Sequence, residues 1–354
     1  MVTPAHALAD LPCAHGMPPV RGRLKVSPED FVVREWLGFE ADGEGDHWLL
    51  TVRKRGANTH WVAKQIAKHA GIHPRDVGFA GLKDRNAVTE QSFSVPVRTA
   101  IADWMGVNGE GYEVVQARRH RRKLKRGALR GNDFEIVVRE AQFDPDLLRE
   151  RLHQIELRGV PGYFGPQRFG RDGANLERAR RWFAGEIELS DRWDRGFALS
   201  AARAAVFNDV LARRVSAGTW NQLCDGDVAN LEGTNSIFPV DQVTPELTDR
   251  CERLDVHPSG PLWGKGELAS THGIAELEQL VAREQSLLVS GLERAGLEQE
   301  RRTLRLKVNA VESVVEPGVL RLKFRLGRGA FATSVLHELV GGVFEQGVEE
   351  SEEE

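Results

Sequence analysis

The sequence predicts an α+β fold in which a sheet-forming region is interrupted by a largely helical insertion. Three observations carry that reading. Short strand-like segments crowd residues 25–138, helical character dominates after residue 159, and alternating strand patterns return beyond residue 303. The length of 354 residues suits two domains, or one large domain with an insertion. With 41% apolar and 28% charged residues the chain has enough apolar side chain for a real core, which excludes wholesale disorder.

Taken in order, residues 1–20 are rich in Pro, Ala and His without periodicity and are expected to form a loosely ordered arm. Ser27, Pro28, Glu29 and Asp30 make a turn before a strand that begins Phe31, Val32, Val33, and Trp48 to Val52 reads as a second strand. Asp42, Glu44 and Asp46 at alternate positions have the look of a calcium loop, but the twelfth position counted from Asp42 is Arg53 instead of a bidentate carboxylate. No calcium site is expected there. Asn58 is placed to cap a helix with Val62, Ile66 and Ala70 on one face and Gly71 as its stop. Short strands are expected near Val77 to Ala80 and over Ser92 to Val97. Phe134, Ile136 and Val138 alternate with Glu135, Val137 and Arg139 as in a half-buried strand.

Gly, Pro and aromatic residues mark 159–173, and beyond them one helix is expected to carry Ile274, Leu277, Val281, Leu288 and Leu292. Strands return with Leu304, Leu306 and Val308. Leu320, Leu322, Phe324 and Leu326 then alternate with Arg321, Lys323 and Arg325, burying one face and presenting cations on the other. The domain plan is an arm at 1–20, a first domain at 21–158 and 304–345, an insertion at 159–303, and an acidic tail at 346–354.

The net charge of −4, from 48 basic and 52 acidic residues, hides an asymmetry. Glu345, Glu349, Glu350, Glu352, Glu353 and Glu354 fall in the last ten residues, and without them 48 cations face 46 acids. The tail is expected to be solvated and frayed. No charge-free apolar run approaches the roughly 18 residues that span a bilayer, and the N-terminus, with Pro4, His6, Asp10 and Pro12, lacks a signal-peptide pattern. A cytoplasmic protein is expected. Cys13, Cys224 and Cys251 are an odd count without a C-x-x-C pair, so neither a disulfide framework nor a metal site is expected.

The strongest electrostatic feature is residues 118–130, where Arg118, Arg119, Arg121, Arg122, Lys123, Lys125, Arg126 and Arg130 occur with no acid among thirteen residues. Eight like charges repel one another by an amount best offset by a polyanion, so the run reads as a nucleic-acid footprint, with Arg121, Arg122 and Lys125 on the backbone. Arg168, Arg171, Arg178, Arg180 and Arg181 extend it across the insertion. A second feature runs from Gly78 to Gln91, where glycines permit tight backbone turns and polar side chains gather just past a strand end. It is not a phosphate-gripping loop, and taken alone Asp84 beside Lys83 is as compatible with a surface ion pair as with catalysis.

Gly81, Lys83, Asp84, Ala87, Thr89 and Gln91 match the G-x-K-D-x-x-A-x-T-x-Q signature of the TruD family of tRNA pseudouridine synthases, and the chain resembles that family from about Lys25 nearly to its C-terminus. Further matching blocks are Lys25 with Ser27 to Phe31, Gly131 to Phe134, Tyr163 to Gly165 with Gln167 to Gly170, and Phe331 to Ser334. The arm and the acidic tail look peculiar to this chain. The resemblance implies a pseudouridine synthase fold with a mixed, largely antiparallel sheet, an inserted, mainly helical TRUD domain, a cleft between them, and isomerisation of uridine 13 of tRNA. It makes Asp84 the catalytic aspartate, with Lys25 close to the carboxylate. Phe31, Asn132 and Phe331 would contact the substrate, and Phe134 would stack on the uracil.

Turning uridine into pseudouridine detaches the base from C1′ and rejoins it through C5; nothing is oxidised and no group is imported, so no cofactor is expected. The reaction needs an ionised carboxylate in a dry pocket, which Lys25 would favour. Attack on C1′, addition to C6 and removal of a ribose proton are all open to Asp84. The target must leave its stack to be reached, which costs a few kcal/mol and is offset by stacking and hydrogen bonds to the base edge. A monomer acting on tRNA away from membranes is the expectation. Two rivals remain at this stage: a non-catalytic RNA-binding protein or folding chaperone with the same groove, and another uridine-directed modification such as methylation.

Overall fold

The structure is a computed structural model that describes residues 8–83, 87–99, 101 and 103–341. It comprises two compact units. One holds Val20–Phe143 and Asn309–Gly329; the other holds the arm up to Pro19, Asp144–Val308 and Ala330–Gly341. Among the described residues no helix is long and apolar enough to cross a membrane.

The first unit begins with β1 (Val20–Leu24), β2 (Phe31–Trp36), β3 (His47–Arg55) and helix α1 (Thr59–Ala70), then β4 (Gly78–Phe79), β5 (Val88–Pro96), β6 (Asn108–Gly109), β7 (Tyr112–His120) and β8 (Gly131–Phe143). The chain passes through the second unit as α2 (Pro145–Arg158), β9 (Val160–Pro161), α3 (Pro166–Phe169), α4 (Ala174–Phe183), α5 (Arg192–Ser216), β10 (Asp227–Leu231), β11 (Ile237–Val240), α6 (Pro245–Glu252), β12 (Val256–Leu262), α7 (His272–Glu284), α8 (Ser286–Arg294), β13 (Glu300–Thr303) and β14 (Arg305–Leu306). It returns as β15 (Val308–Glu316) and β16 (Val319–Gly327) before α9 (Ala332–Leu339).

A ten-stranded sheet in the order β15-β16-β8-β2-β5-β3-β7-β6, with β1 also on β8 and β4 on β5, forms the first unit. β2 and β5 run parallel, as the long crossover through β3 and α1 allows, while the other described pairings are antiparallel. The expected mixed, largely antiparallel sheet is observed. The thirteen-residue β8 serves two neighbours on one edge: its first half pairs with β2 and its second half with β1. Helix α1 starts as its sequence demands, the Asn58 side chain accepting from the Trp61 N–H at 2.7 Å, and stops at Gly71 with φ 67°. Its Val62, Ile66 and Ala70 pack into a core with Leu50, Val52, Phe93 and Val95. The opposite face of the sheet is ionic, with Arg34 bridging Glu90 and Glu135 while Arg53 bridges Glu90 and Glu113. On β16 Leu320, Leu322, Phe324 and Leu326 are buried, and Arg325 turns outward to Asp133 at 2.6 Å, as the alternation required.

The second unit is built around the 25-residue α5, whose Ala198, Ala201, Ala202, Phe207 and Leu211 are buried. A four-stranded sheet, β11-β10-β12-β13, is joined to that helix by the fully buried pair Arg214 and Asp227 at 2.8 Å. This sheet departs from the largely helical insertion expected, because β12 reads Val-His-Pro-Ser-Gly-Pro-Leu and its Pro and Gly mask strand character. The single helix expected over residues 274–292 is two helices, broken where Gln285 leaves helical geometry at φ −99°, ψ 30°.

The expected loosely ordered arm is anchored from Leu8 onward. Leu8 and Leu11 are buried in the helical core, and the Glu338 carboxylate accepts the backbone N–H groups of Ala14 at 2.7 Å and His15 at 3.0 Å. Apolar side chains at i and i+3 were enough to dock a segment that lacked longer periodicity. The unit boundaries also fall elsewhere than 159 and 303. Helix α2 belongs with the arm, because its Arg151 donates to the carbonyls of His15 at 2.5 Å and Met17 at 3.0 Å. The acidic tail lies outside the described residues.

Candidate active site

Register across four adjacent strands brings one row of side chains to a single face of the large sheet. Asn132 lies opposite Glu35 and Phe134 opposite Val33, while Val33 and Lys54 both lie opposite Thr89. Cross-strand partners project to the same side, so Asn132, Phe134, Glu35, Thr89 and Lys54 share it.

The loop entering Asp84 is tied to this face. Lys83 Nζ lies 2.9 Å from Glu35 Oε1, both side chains being almost fully buried, and the other Glu35 oxygen accepts the Ser92 N–H at 2.9 Å. The Lys83 N–H donates to Thr59 Oγ1 at 3.1 Å, Thr59 in turn donates to Gln91 Oε1 at 3.0 Å, and Gln91 Nε2 donates to the Gly81 carbonyl at 2.6 Å. Lys54, 1% exposed, donates from Nζ to the carbonyls of Ala57 at 2.9 Å and Lys83 at 3.2 Å. That last carbonyl belongs to the peptide bond leading into Asp84. Asp84 itself, with Arg85 and Asn86, lies outside the described residues.

Beside the row sits an aromatic cluster. Phe31 meets Phe134 edge-on at 6.2 Å, Phe134 stacks on Phe324 at 5.4 Å, and the Lys25 ammonium lies over Phe31 at 4.4 Å. Lys25 has φ 58°, a left-handed conformation that costs a non-glycine residue about 1 kcal/mol or more. Two polar atoms on this face, Asn132 Oδ1 and Thr89 Oγ1, are buried without a hydrogen-bond partner among the described residues. Thus Lys25, Phe31, Asn132 and Phe134 lie together in one unit.

Phe331 and Arg168 lie in the other unit. Phe331 is the residue preceding α9, 6.4 Å from Phe164, and the Arg168 guanidinium lies 5.1 Å from Phe164 and 5.9 Å from Phe331. Burial lowers the Arg168 pKa, and Arg302, over the same Phe164 ring at 4.4 Å, is pushed down to about 10 by burial and by the charge of Arg168. His337, on α9, packs edge-on against Tyr163 at 5.8 Å.

The basic run is less free than its composition suggests. Asp42 accepts the Arg121 N–H at 2.9 Å and faces His120 Nδ1 at 2.8 Å, and Glu44 pairs with the Arg121 guanidinium. The Arg121 N–H and the neighbouring charges of His120, Arg121 and Arg122 hold Asp42 below the usual carboxylate range. Two of the three alternating acids of the calcium-like loop, Asp42 and Glu44, are therefore partners of this run. Arg119 donates to the Gly45 carbonyl, Lys123 to the Arg75 carbonyl, and Arg126 lies over Phe79. Arg122 and Lys125 form no ion pair among the described residues.

Sequence reasoning missed Lys54, Glu35 and Thr59. A signal was present for two of them: strand alternation puts Lys54 in phase with the buried Leu50 and Val52, and Glu35 in phase with Phe31 and Val33. A charge at a core-phase position is a functional or scaffolding residue far more often than a solvated one.

Comparison with known proteins gives the family. The chain is 47% identical over 333 residues to the tRNA pseudouridine synthase D of Methylococcus capsulatus, covering 94% of each chain, and 46% identical over 334 residues to that of Aeromonas salmonicida, again covering 94% of each. A crystal structure from Methanosarcina mazei, a candidate tRNA pseudouridine synthase D, superposes with a TM-score of 0.72 at 21% identity over 92% of this chain and 95% of that one, a likeness of fold. The match to the family described as tRNA pseudouridine synthase D (TruD) covers residues 13–179 and 188–339, so it takes in the end of the arm that looked peculiar to this chain. This chain belongs to the TruD family.

Proposed function

We propose that the protein is a tRNA pseudouridine synthase that isomerises uridine 13 of tRNA, with Asp84 as its essential carboxylate. The observation that carries this reading is the tethering of Gly81 and Lys83 by Gln91, Thr59, Lys54 and Glu35, all but Glu35 supplied from β3, α1 and β5. Anchoring of Gly81 and Lys83 is the support that a nucleophile or base at the next position requires and that a solvated surface aspartate does not. In the reaction the N1–C1′ bond breaks, a C5–C1′ bond forms, and the C5 proton is lost as N1 gains one, so the product is an isomer of the substrate.

Phe31 and Phe134 form the apolar wall for an everted uracil, Asn132 offers an acceptor that has no partner among the described residues to a donor of the base or ribose, and Lys25 supplies positive charge near the carboxylate. Phe331 is a further substrate contact. Arg121, Arg122, Lys125 and Arg168 hold the RNA backbone, with Arg122 and Lys125 contributing most of the first group.

The test is conversion of unmodified tRNA by the pure protein, followed by a nucleotide-resolution map of pseudouridine. One modified position, lost when uridine 13 is replaced by cytidine, is expected. Asp84→Asn keeps the side-chain size and removes the charge, so turnover should vanish while tRNA binding persists. Binding without any pseudouridine from the wild-type protein would favour the RNA-binding or chaperone reading, and turnover by Asp84→Asn would remove Asp84 from its role.

A further inference from the structure

The first two turns of α5 leave large aromatic surface in water. Trp193 is 76% exposed and Phe197 51% exposed. Positions 193, 197, 200, 204, 207 and 211 follow helical spacing, and the later members of that stripe, Ala204, Phe207 and Leu211, are core. The stripe therefore runs out of the core into solvent with aromatic residues at its exposed end, interrupted only by Ser200. At its edge lies a cavity of about 150 Å³ lined by Arg168, Phe197, Ser200, Phe331 and Thr333.

Arg168 dominates the chemistry of that cavity. Its Nη1 donates to Ser200 Oγ at 2.6 Å, its face lies on Phe164 and Phe331, and it pairs with no carboxylate among the described residues. Thr333 Oγ1 is buried there without a hydrogen-bond partner among the described residues. A partly buried guanidinium that meets no counter-charge among the described residues, beside a hydroxyl able to donate, calls for a compact anion. A purely apolar partner would dry that cation without compensating it.

We propose that this surface docks one nucleotide of the substrate RNA other than the target uridine, its phosphate on Arg168 and Thr333 and its base stacked along Phe197 and Trp193. The proposal rests on the reading of the protein as an RNA-modifying enzyme. Every base has a π face, so the contact supplies affinity and orientation with little sequence preference. Phe331, proposed above as a substrate contact, lines its edge; what this surface adds is Trp193, Phe197 and Thr333, which would touch a nucleotide that is not transformed.

The test measures tRNA affinity across a salt series, together with pseudouridine formation, for the wild type, Trp193→Ala/Phe197→Ala, Arg168→Met and the ring-preserving pair Trp193→Phe/Phe197→Tyr. Loss of a stacked base should weaken binding by roughly 5- to 150-fold, and the ring-preserving pair should restore it. Arg168→Met should flatten the salt dependence by about one single-strand phosphate, a change of about 0.7 in the log–log slope. Both aromatics are exposed, so unchanged thermal unfolding midpoints check that the fold is intact. A wild type that makes pseudouridine while Trp193→Ala/Phe197→Ala binds tRNA with unaltered affinity and slope overturns this inference alone. A wild type that neither binds nor modifies tRNA overturns the functional reading as well. Self-association of the wild type that is abolished in the alanine pair, with tRNA affinity unaltered, assigns the face to a second copy of the chain and also overturns it.

Discussion

Replacing Glu35 by Gln isolates the ion pair that ties the Gly81–Lys83 loop to β2. At 2.9 Å, two unit charges attract by about 6 kcal/mol at an effective dielectric of about 20. The amide oxygen that E35Q introduces would still accept the Ser92 N–H, so the substitution leaves that backbone contact and strands the Lys83 ammonium, whose side chain is only 6% exposed. Removing one partner of a buried pair costs about 3–5 kcal/mol, a large share of the 5–15 kcal/mol that keeps a domain folded. Denaturant unfolding followed by circular dichroism should therefore show a markedly lower midpoint for E35Q. Single-turnover conversion at saturating tRNA should fall by about 100-fold, the usual consequence of displacing a reacting group by about 1 Å. The double variant E35Q/K83M removes the stranded charge as well and should regain most of the stability, yet it should stay slow, because no ion pair then ties the loop to β2. If E35Q unfolds within about 1 kcal/mol of the wild type and turns over at the wild-type rate, the argument that this pair positions the loop is wrong.

Two further outcomes follow from the same geometry. Neutralising Arg122 and Lys125 together should lower the salt slope of tRNA binding by nearly two phosphate contacts, about 0.9 each on duplex RNA by analogy with DNA, whereas Arg121, already paired with Glu44, should matter less; equal slopes for wild type and double variant would remove the footprint. Asn132→Ala eliminates a buried acceptor that has no partner among the described residues, so it should leave the unfolding midpoint unchanged or slightly higher while cutting turnover sharply; a loss of stability with turnover intact would mark Asn132 as a scaffold residue.

Much of the first unit was legible because its elements obey local rules. The Asn58 cap, the Val62–Ile66–Ala70 stripe and the alternation along β8 and β16 each follow from spacing alone, and all three appear as read. The second unit was less legible where Pro and Gly sit inside strands, as in β12, and where one non-helical residue, Gln285, divides a continuous apolar pattern. The site divides in the same way. A signature of six matched positions pointed to the Gly81–Gln91 segment, but motif spacing carries no information about what the motif's side chains bond to. That Lys83 reaches Glu35, or that the acids at 42 and 44 turn back onto the basic run, depends on contacts between strands far apart in sequence.

The polar row on the sheet has a division of labour that hydrogen-bond accounting exposes. Burying Glu35, Lys54, Gln91 and Thr89 in one patch is costly for folding unless each group finds a partner. Glu35, Lys54 and Gln91 have theirs in Lys83, the carbonyls of Ala57 and Lys83, and Gly81, so their polarity is consumed within the fold and serves to fix the loop. Asn132 Oδ1 and Thr89 Oγ1 have none among the described residues, although they lie on the same face and are equally shut off from water. A fold optimised for stability alone would replace these two with apolar side chains of similar shape, since an unmet buried group costs about 1–3 kcal/mol. Beside the Phe31–Phe134 wall, the proposed function gives both groups a use: on that reading the satisfied members of the row tether Gly81 and Lys83, and Asn132 and Thr89 keep polar atoms for the edge of a base.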